Sequence, residues 1–163
     1  MREERQKRGY LYAGKGKGAN VAAWKQAIAA EAAASLGNEV QYAQALLDLV
    51  KAFDRIPLWL LVREAAALGY PLKILRLSIS VYMLERVIRI GGVVSKTILA
   101  WRGITAGSIF ATIEMRVVLI RVMDAATEAF PRVNPVLFVD DLAAEMMGPP
   151  KHIVQQLGAF TLA

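Results

Sequence analysis

Three acidic residues stand where carboxylates are costly. Asp48 closes the apolar run Ala45-Leu46-Leu47, and Asp140-Asp141 close Val136-Leu137-Phe138-Val139. A carboxylate just past a buried strand loses solvation unless something offsets the loss. Divalent cations do so, because converging carboxylates repel one another until positive charge arrives. Such a cluster suits phosphoryl transfer by two metal ions about 3.5–4 Å apart. One ion would activate an attacking hydroxyl and the other would hold a triphosphate and the leaving oxygen. Taken singly, each acid suits a turn position or a helix cap equally well. The chain has no cysteine and one histidine, His152. Any metal must therefore be held by oxygen, which points to Mg²⁺ or Mn²⁺.

The remaining composition narrows the partners. The 163 residues carry a formal net charge of +6. Residues 1–18 supply much of it, with Arg2, Arg5, Lys7, Arg8, Lys15 and Lys17 set against Glu3 and Glu4. A basic surface suits a polyanion, nucleic acid above all, and it also suits a plain solvated tail. The hydrophobic share of 56% is enough for a core and too high for a disordered chain. Arg63, Glu64, Lys73, Arg76, Arg86 and Arg89 interrupt the most apolar stretches, so no membrane span is expected and the chain reads as intracellular.

The elements that must position these acids follow from the pattern. Residues 1–18 read as irregular, and the run Gly14-Lys15-Gly16-Lys17-Gly18 lacks the Gly-Lys-Ser/Thr ending of a P-loop. Asn20 is placed to cap a helix that Gly37 ends. Residues 40–49 suit a strand. Pro57 opens a helix over 58–68 closed by Gly69, and Pro71 opens another reaching Met83. Residues 86–90 and 93–99 flank Gly91-Gly92 as a hairpin. A loop at 102–107 leads into a long helix over 108–129. A short strand, 136–139, then turns at Asp140-Asp141 into a partner at 142–147, and Pro149-Pro150 start a last helix. Helices mixed with antiparallel hairpins predict an α+β fold. Trp24, Trp59, Tyr82 and Trp101 are expected to pack inside.

Read together, three segments resemble the motifs of reverse transcriptases of the non-long-terminal-repeat and group II intron type. Leu47-Asp48-Leu49-Val50-Lys51-Ala52-Phe53-Asp54 is similar to motif A, and Phe138-Val139-Asp140-Asp141 is similar to motif C. Between them, Arg102-Gly103-Ile104-Thr105-Ala106-Gly107-Ser108 stands in the place of motif B. Residues 9–16 and the helix after them resemble, less specifically, the fingers segment that precedes motif A.

The resemblance implies a palm-type antiparallel sheet with packed helices and part of the fingers. Residues 1–37 would be a partial fingers segment. Residues 38–163 would be the palm with its fingers-side helices and hairpin, stopping short of motif D, the primer grip and the thumb. It further implies that Asp48, Asp140 and Asp141 are catalytic and bind two Mg²⁺ or Mn²⁺ ions, joined by the carbonyl of Leu49. The amides of Lys51 and Ala52 would lie near the triphosphate. Phe53 would be the ring that excludes a ribose 2′-hydroxyl, with core packing as its plainer role. Ala106 and Gly107 would meet the incoming nucleotide. The implied partners are an RNA template, a DNA primer and deoxynucleoside triphosphates, with a nuclear location in a eukaryote.

The sequence also departs from the family. Ala106 replaces the usual glutamine, and Ile109-Phe110-Ala111-Thr112 replaces Pro-Leu-Ser-Pro. Two further readings follow: an inactive remnant that at most binds nucleic acid, and an RNA-templated RNA polymerase or unrelated two-metal phosphotransferase.

Overall fold

In the computed structural model, residues 8–14 and 16–162 are described. Arg2, Arg5, Lys7 and Lys15 of the basic N-terminal run lie outside them. The fold is α+β, with six helices and two antiparallel sheets, one of three strands and one of two, among the described residues. The chain forms two compact units, one over residues 51–121 and the other over 2–50 and 122–163.

The unit of residues 2–50 and 122–163 is built on β1 (Gln41–Asp48), β4 (Asn134–Phe138) and β5 (Asp141–Gly148). The order is β1-β5-β4, antiparallel throughout. Successive side chains on a strand alternate between faces, so the register sorts the sheet into two surfaces. One surface carries Leu46, Ala143 and Val136 in a row and meets α1 (Ala19–Ser35) through Ala22, Tyr12 and Phe138. The other carries Ala144 and Met146 and meets Ile153, Leu157 and Phe160 of α6 (Pro150–Leu162). Phe130 stands edge-on to Phe160 with centroids 5.7 Å apart.

The helix α1 is rich in alanine, the best helix former, and its small side chains allow close approach to the sheet. Asn20 is not its cap: Gly18 is the N-cap, and no side chain caps the helix. This helix, expected in a separate fingers segment, belongs to the same compact unit as the sheet. Residues 10–12, expected to be irregular, pair in parallel with β4. The Tyr12 amide donates to Leu137 O at 2.9 Å and the Leu137 amide to Tyr10 O at 2.7 Å. The bridge satisfies the Leu137 amide and carbonyl on the outer edge of β4. Arg8 fixes the segment further through a two-pronged ion pair to Asp124, with contacts of 2.7 and 2.6 Å. That guanidinium, more than any other neighbour, holds the Asp124 carboxyl below the usual carboxylate range.

The unit of residues 51–121 holds α2 (Ala52–Arg55), α3 (Leu58–Ala67), α4 (Leu72–Tyr82), the hairpin β2 (Arg89–Ile90) and β3 (Val93–Val94), and the first part of α5 (Ala111–Ala129). Leu58, Leu61 and Ala65 recur at helical spacing and bury with Leu75, Tyr82, Ile104 and Val117. Burying a side chain such as Leu61 contributes about 1.5–3 kcal/mol. Two acids enter this interior with partners. Glu64 accepts from Arg63 at 2.6 Å and Arg121 at 3.3 Å, and Glu114 accepts from Tyr82 Oη at 2.6 Å. Burial, and next the bond to Glu114, push the Tyr82 phenol up to about 12.

Of the four aromatics expected inside, only Tyr82 is buried; Trp24, Trp59 and Trp101 are 64–70% exposed. Trp59 lies beneath the Arg63 guanidinium, 5.3 Å from the ring centroid, a contact that suits a surface tryptophan.

Candidate carboxylate site at one end of the sheet

The register brings the acids together. Asp48 is the last residue of β1 and stands directly opposite Asp141, the first residue of β5. Phe138, the last residue of β4, completes the row on the other side of Asp141. Directly opposed residues of an antiparallel pair project from the same face with Cβ atoms about 4.5–5.5 Å apart. Asp48 and Asp141 are thus neighbouring like charges, each of which disfavours the other. Both are exposed, and no hydrogen bond or ion pair reaches either side chain among the described residues.

Asp140 sits in the turn that joins β4 to β5. The turn has only two central residues, Val139 and Asp140, and Val139 has φ +60°. Positive φ at the first central position alone is the pattern of a type II′ hairpin, where glycine is the natural choice. A β-branched residue there is a steric outlier and costs about 1–2 kcal/mol. Strain of this kind persists where the surroundings over-determine the backbone, here the strand pairing on both sides. Leu49 follows β1 half-buried.

Asp48 and Asp141 are paired, Asp140 lies one residue away in the turn, and among the described residues no three acids or imidazoles form a ready metal-binding group.

A cleft of about 390 Å³ opens beside the pair. Its walls are Ala22, Ala23 and Gln26 of α1 together with Leu46, Val136 and Phe138 of the same sheet face. Nothing local marks this cleft, because the alanines of α1 fall all round the helix and do not show which face meets the sheet.

Farther along that face stands a carboxylate that sequence reasoning missed. Glu145, on β5 opposite Gln44 and Asn134, is 5% exposed. It accepts from Tyr42 Oη at 2.8 Å and from the Asn134 amide. Burial first, then the bond to Glu145, raise the Tyr42 phenol above its ordinary range. A glutamate amid Ala143-Ala144 and Met146-Met147 was the available signal.

The remaining expected site residues belong to the unit of residues 51–121. Lys51, with φ +53°, is the N-cap of α2, and Ala52 and Phe53 pack half-buried against that unit's core. Ala106 and Gly107 are exposed in the loop before α5. Gly107 has φ +88°, while a Cβ there would meet open space, so its backbone angle rather than close packing calls for glycine. The long helix begins at Ala111 rather than Ser108. Met115 is buried and Ile109 is 85% exposed. His152 is exposed on α6.

Compared with known proteins, the chain matches no protein-family model and no curated sequence. No helix among the described residues is long and apolar enough to cross a membrane.

Proposed function

We propose that this chain carries the metal-binding core of an RNA-directed DNA polymerase on a palm-type sheet. The observation that supports it best is the register of β1 against β5, with Asp48 opposite Asp141 and Asp140 in the adjoining turn. Two segments whose acids lie 92 residues apart in the chain meet at one sheet end, as the motif resemblance requires.

The donor set fits a hard divalent cation, since it offers carboxylate and carbonyl oxygen and no sulfur or imidazole. Asp48, Asp140, Asp141 and the Leu49 carbonyl would hold Mg²⁺ or Mn²⁺. Two such ions would lower the barrier to attack by a primer 3′-hydroxyl and neutralise the triphosphate. The chain itself supplies fixed oxygens from two adjacent strands and a tight turn that restrains Asp140. Lys51, Ala52, Phe53, Ala106 and Gly107 carry their proposed roles toward the deoxynucleotide on the resemblance alone.

A second reading, a nucleic-acid-binding remnant without catalysis, draws support from Ala106, which offers no amide to a substrate. Calorimetric titration with Mn²⁺ tests the metal assignment in the wild type, Asp48→Asn, Asp140→Asn and Asp141→Asn. Weak binding that is lost in Asp48→Asn and Asp140→Asn is expected. Binding that survives all three substitutions overturns the assignment. Metal binding without extension of a DNA primer on an RNA template selects the second reading.

A further inference from the structure

The unit of residues 51–121 contains a small polar cavity that the carboxylate site does not use. Its volume is about 230 Å³, and Asp54, Arg86, Arg102 and Thr105 line it together with the backbone of Gly103. Two arginines line one hollow, and no ion pair involves either among the described residues. Two cations beside one acid leave the lining with a net positive charge, which favours an anion between the two arginines.

The mounting of these groups is firm. The Arg86 backbone pairs in both directions with Ile98, at 3.1 and 2.8 Å, and its guanidinium donates to Tyr82 O at 3.3 Å. Arg102 bridges to Pro57. The next two amides pin the loop, Gly103 to Ile56 O and Ile104 to Phe53 O, both at 2.8 Å. Gly103 has φ +97°, and a Cβ there would lie 3.3 Å from Asp54 O, so only glycine lets the loop close against α2. Such a wall is set before any ligand arrives.

We propose that this cavity is a phosphate-binding subsite, with Arg86 and Arg102 as its two cationic arms and Thr105 as a hydroxyl donor. Guanidinium forks match tetrahedral phosphate oxygens in two-pronged fashion, and a hydroxyl adds a third donor. The volume suits a phosphate group and falls below the 300–1,000 Å³ usual for a whole small-molecule ligand. The occupant is therefore the phosphate of a larger molecule: the tail of a nucleoside triphosphate or the backbone diester of a nucleic acid. Asp54 opposes either one, because its carboxylate lines the same cavity. The assignment is independent of metal binding at Asp48.

The test uses the full chain with inorganic triphosphate and, separately, a single-stranded oligothymidylate, followed by calorimetry. Arg86→Gln and Arg102→Gln should each weaken at least one probe about tenfold, the loss of one charge-assisted contact. Arg76→Gln, a charge removed from the exposed side of α4, should leave binding unchanged. Asp54→Asn should tighten binding, a gain that no unfolding could imitate. Triphosphate dependence identifies the nucleotide tail as the source, and oligothymidylate dependence alone identifies the backbone diester. Absence of saturable binding, an equal loss in Arg76→Gln, or no gain in Asp54→Asn overturns the proposal.

Discussion

One face of one sheet holds acids in two opposite circumstances. At one end Glu145 is buried, and the Tyr42 hydroxyl and the Asn134 amide both donate to it. Four residues along the same strand, Asp141 is exposed beside Asp48 with no donor for either. Burial of an ionised group is tolerated only with hydrogen bonds that replace water, and Glu145 has them. Exposure lets two like charges coexist in water without such partners. Glu145 is thus part of what holds β4, β5 and β1 together, whereas Asp48 and Asp141 give the sheet nothing and have their oxygens free for a ligand.

The comparison breaks most visibly if Glu145 is removed. Glu145→Ala leaves the Tyr42 hydroxyl and the Asn134 amide without their acceptor, and deletes a buried side chain. The expected loss is about 2–4 kcal/mol, measured by urea unfolding. Asp48→Ala, which no partner would notice, should stay within about 0.5 kcal/mol of the wild type. Equal costs at the two positions would erase the distinction.

Strain sharpens the same contrast, because it too sits at the open end. Val139→Gly relieves a positive φ that a β-branched side chain tolerates poorly. The relief of about 1–2 kcal/mol is offset in part by the greater chain entropy of glycine in the unfolded state, about 0.5–1 kcal/mol. A net gain of roughly 0.5–1 kcal/mol is expected in the same unfolding assay. A loss of stability would mean that the half-buried Val139 side chain contributes more through packing than its backbone costs.

Much of this arrangement was legible beforehand. Asp48 at a strand end and Asp140-Asp141 at a hairpin turn were readable because short apolar runs bounded by acids have few other interpretations. The Gly91-Gly92 hairpin and the helices behind Pro57 and Pro71 were readable from turn and cap chemistry. The parallel pairing of residues 10–12 with β4 was not, since the partners lie more than 120 residues apart and nothing local encodes the match. Nor was the exposure of Trp24, because apolar residues fall all round α1 and give its side chains no direction. The burial of Glu145 depends on Tyr42 and Asn134, which come from two other strands, so single-strand reading saw only an acid out of place. The register brings Asp48, Asp140 and Asp141 to one end of the sheet, and their role as metal ligands is a proposal that rests on the resemblance. For Phe53 and Gly107 the sequence likeness stands by itself.

The smallest effect is the most diagnostic of an open acid pair. Asp141→Asn removes one of two like charges that face each other across β1 and β5. Cross-strand pairs of like charge are destabilising, by a few tenths of a kcal/mol when exposed, so the variant should be more stable by about that amount at low ionic strength. Salt discriminates this origin from any other. At 1 M ionic strength the screening length falls to roughly 3 Å, shorter than the separation of the opposed Cβ atoms. The advantage of Asp141→Asn should therefore vanish in 1 M NaCl, while the cost of Glu145→Ala, which arises from buried hydrogen bonds, should persist. Paired urea titrations at 20 mM and 1 M NaCl measure both. A stabilisation by Asp141→Asn that is indifferent to salt would show that Asp141 is strained or poorly packed, and that the two aspartates do not repel each other across the strands.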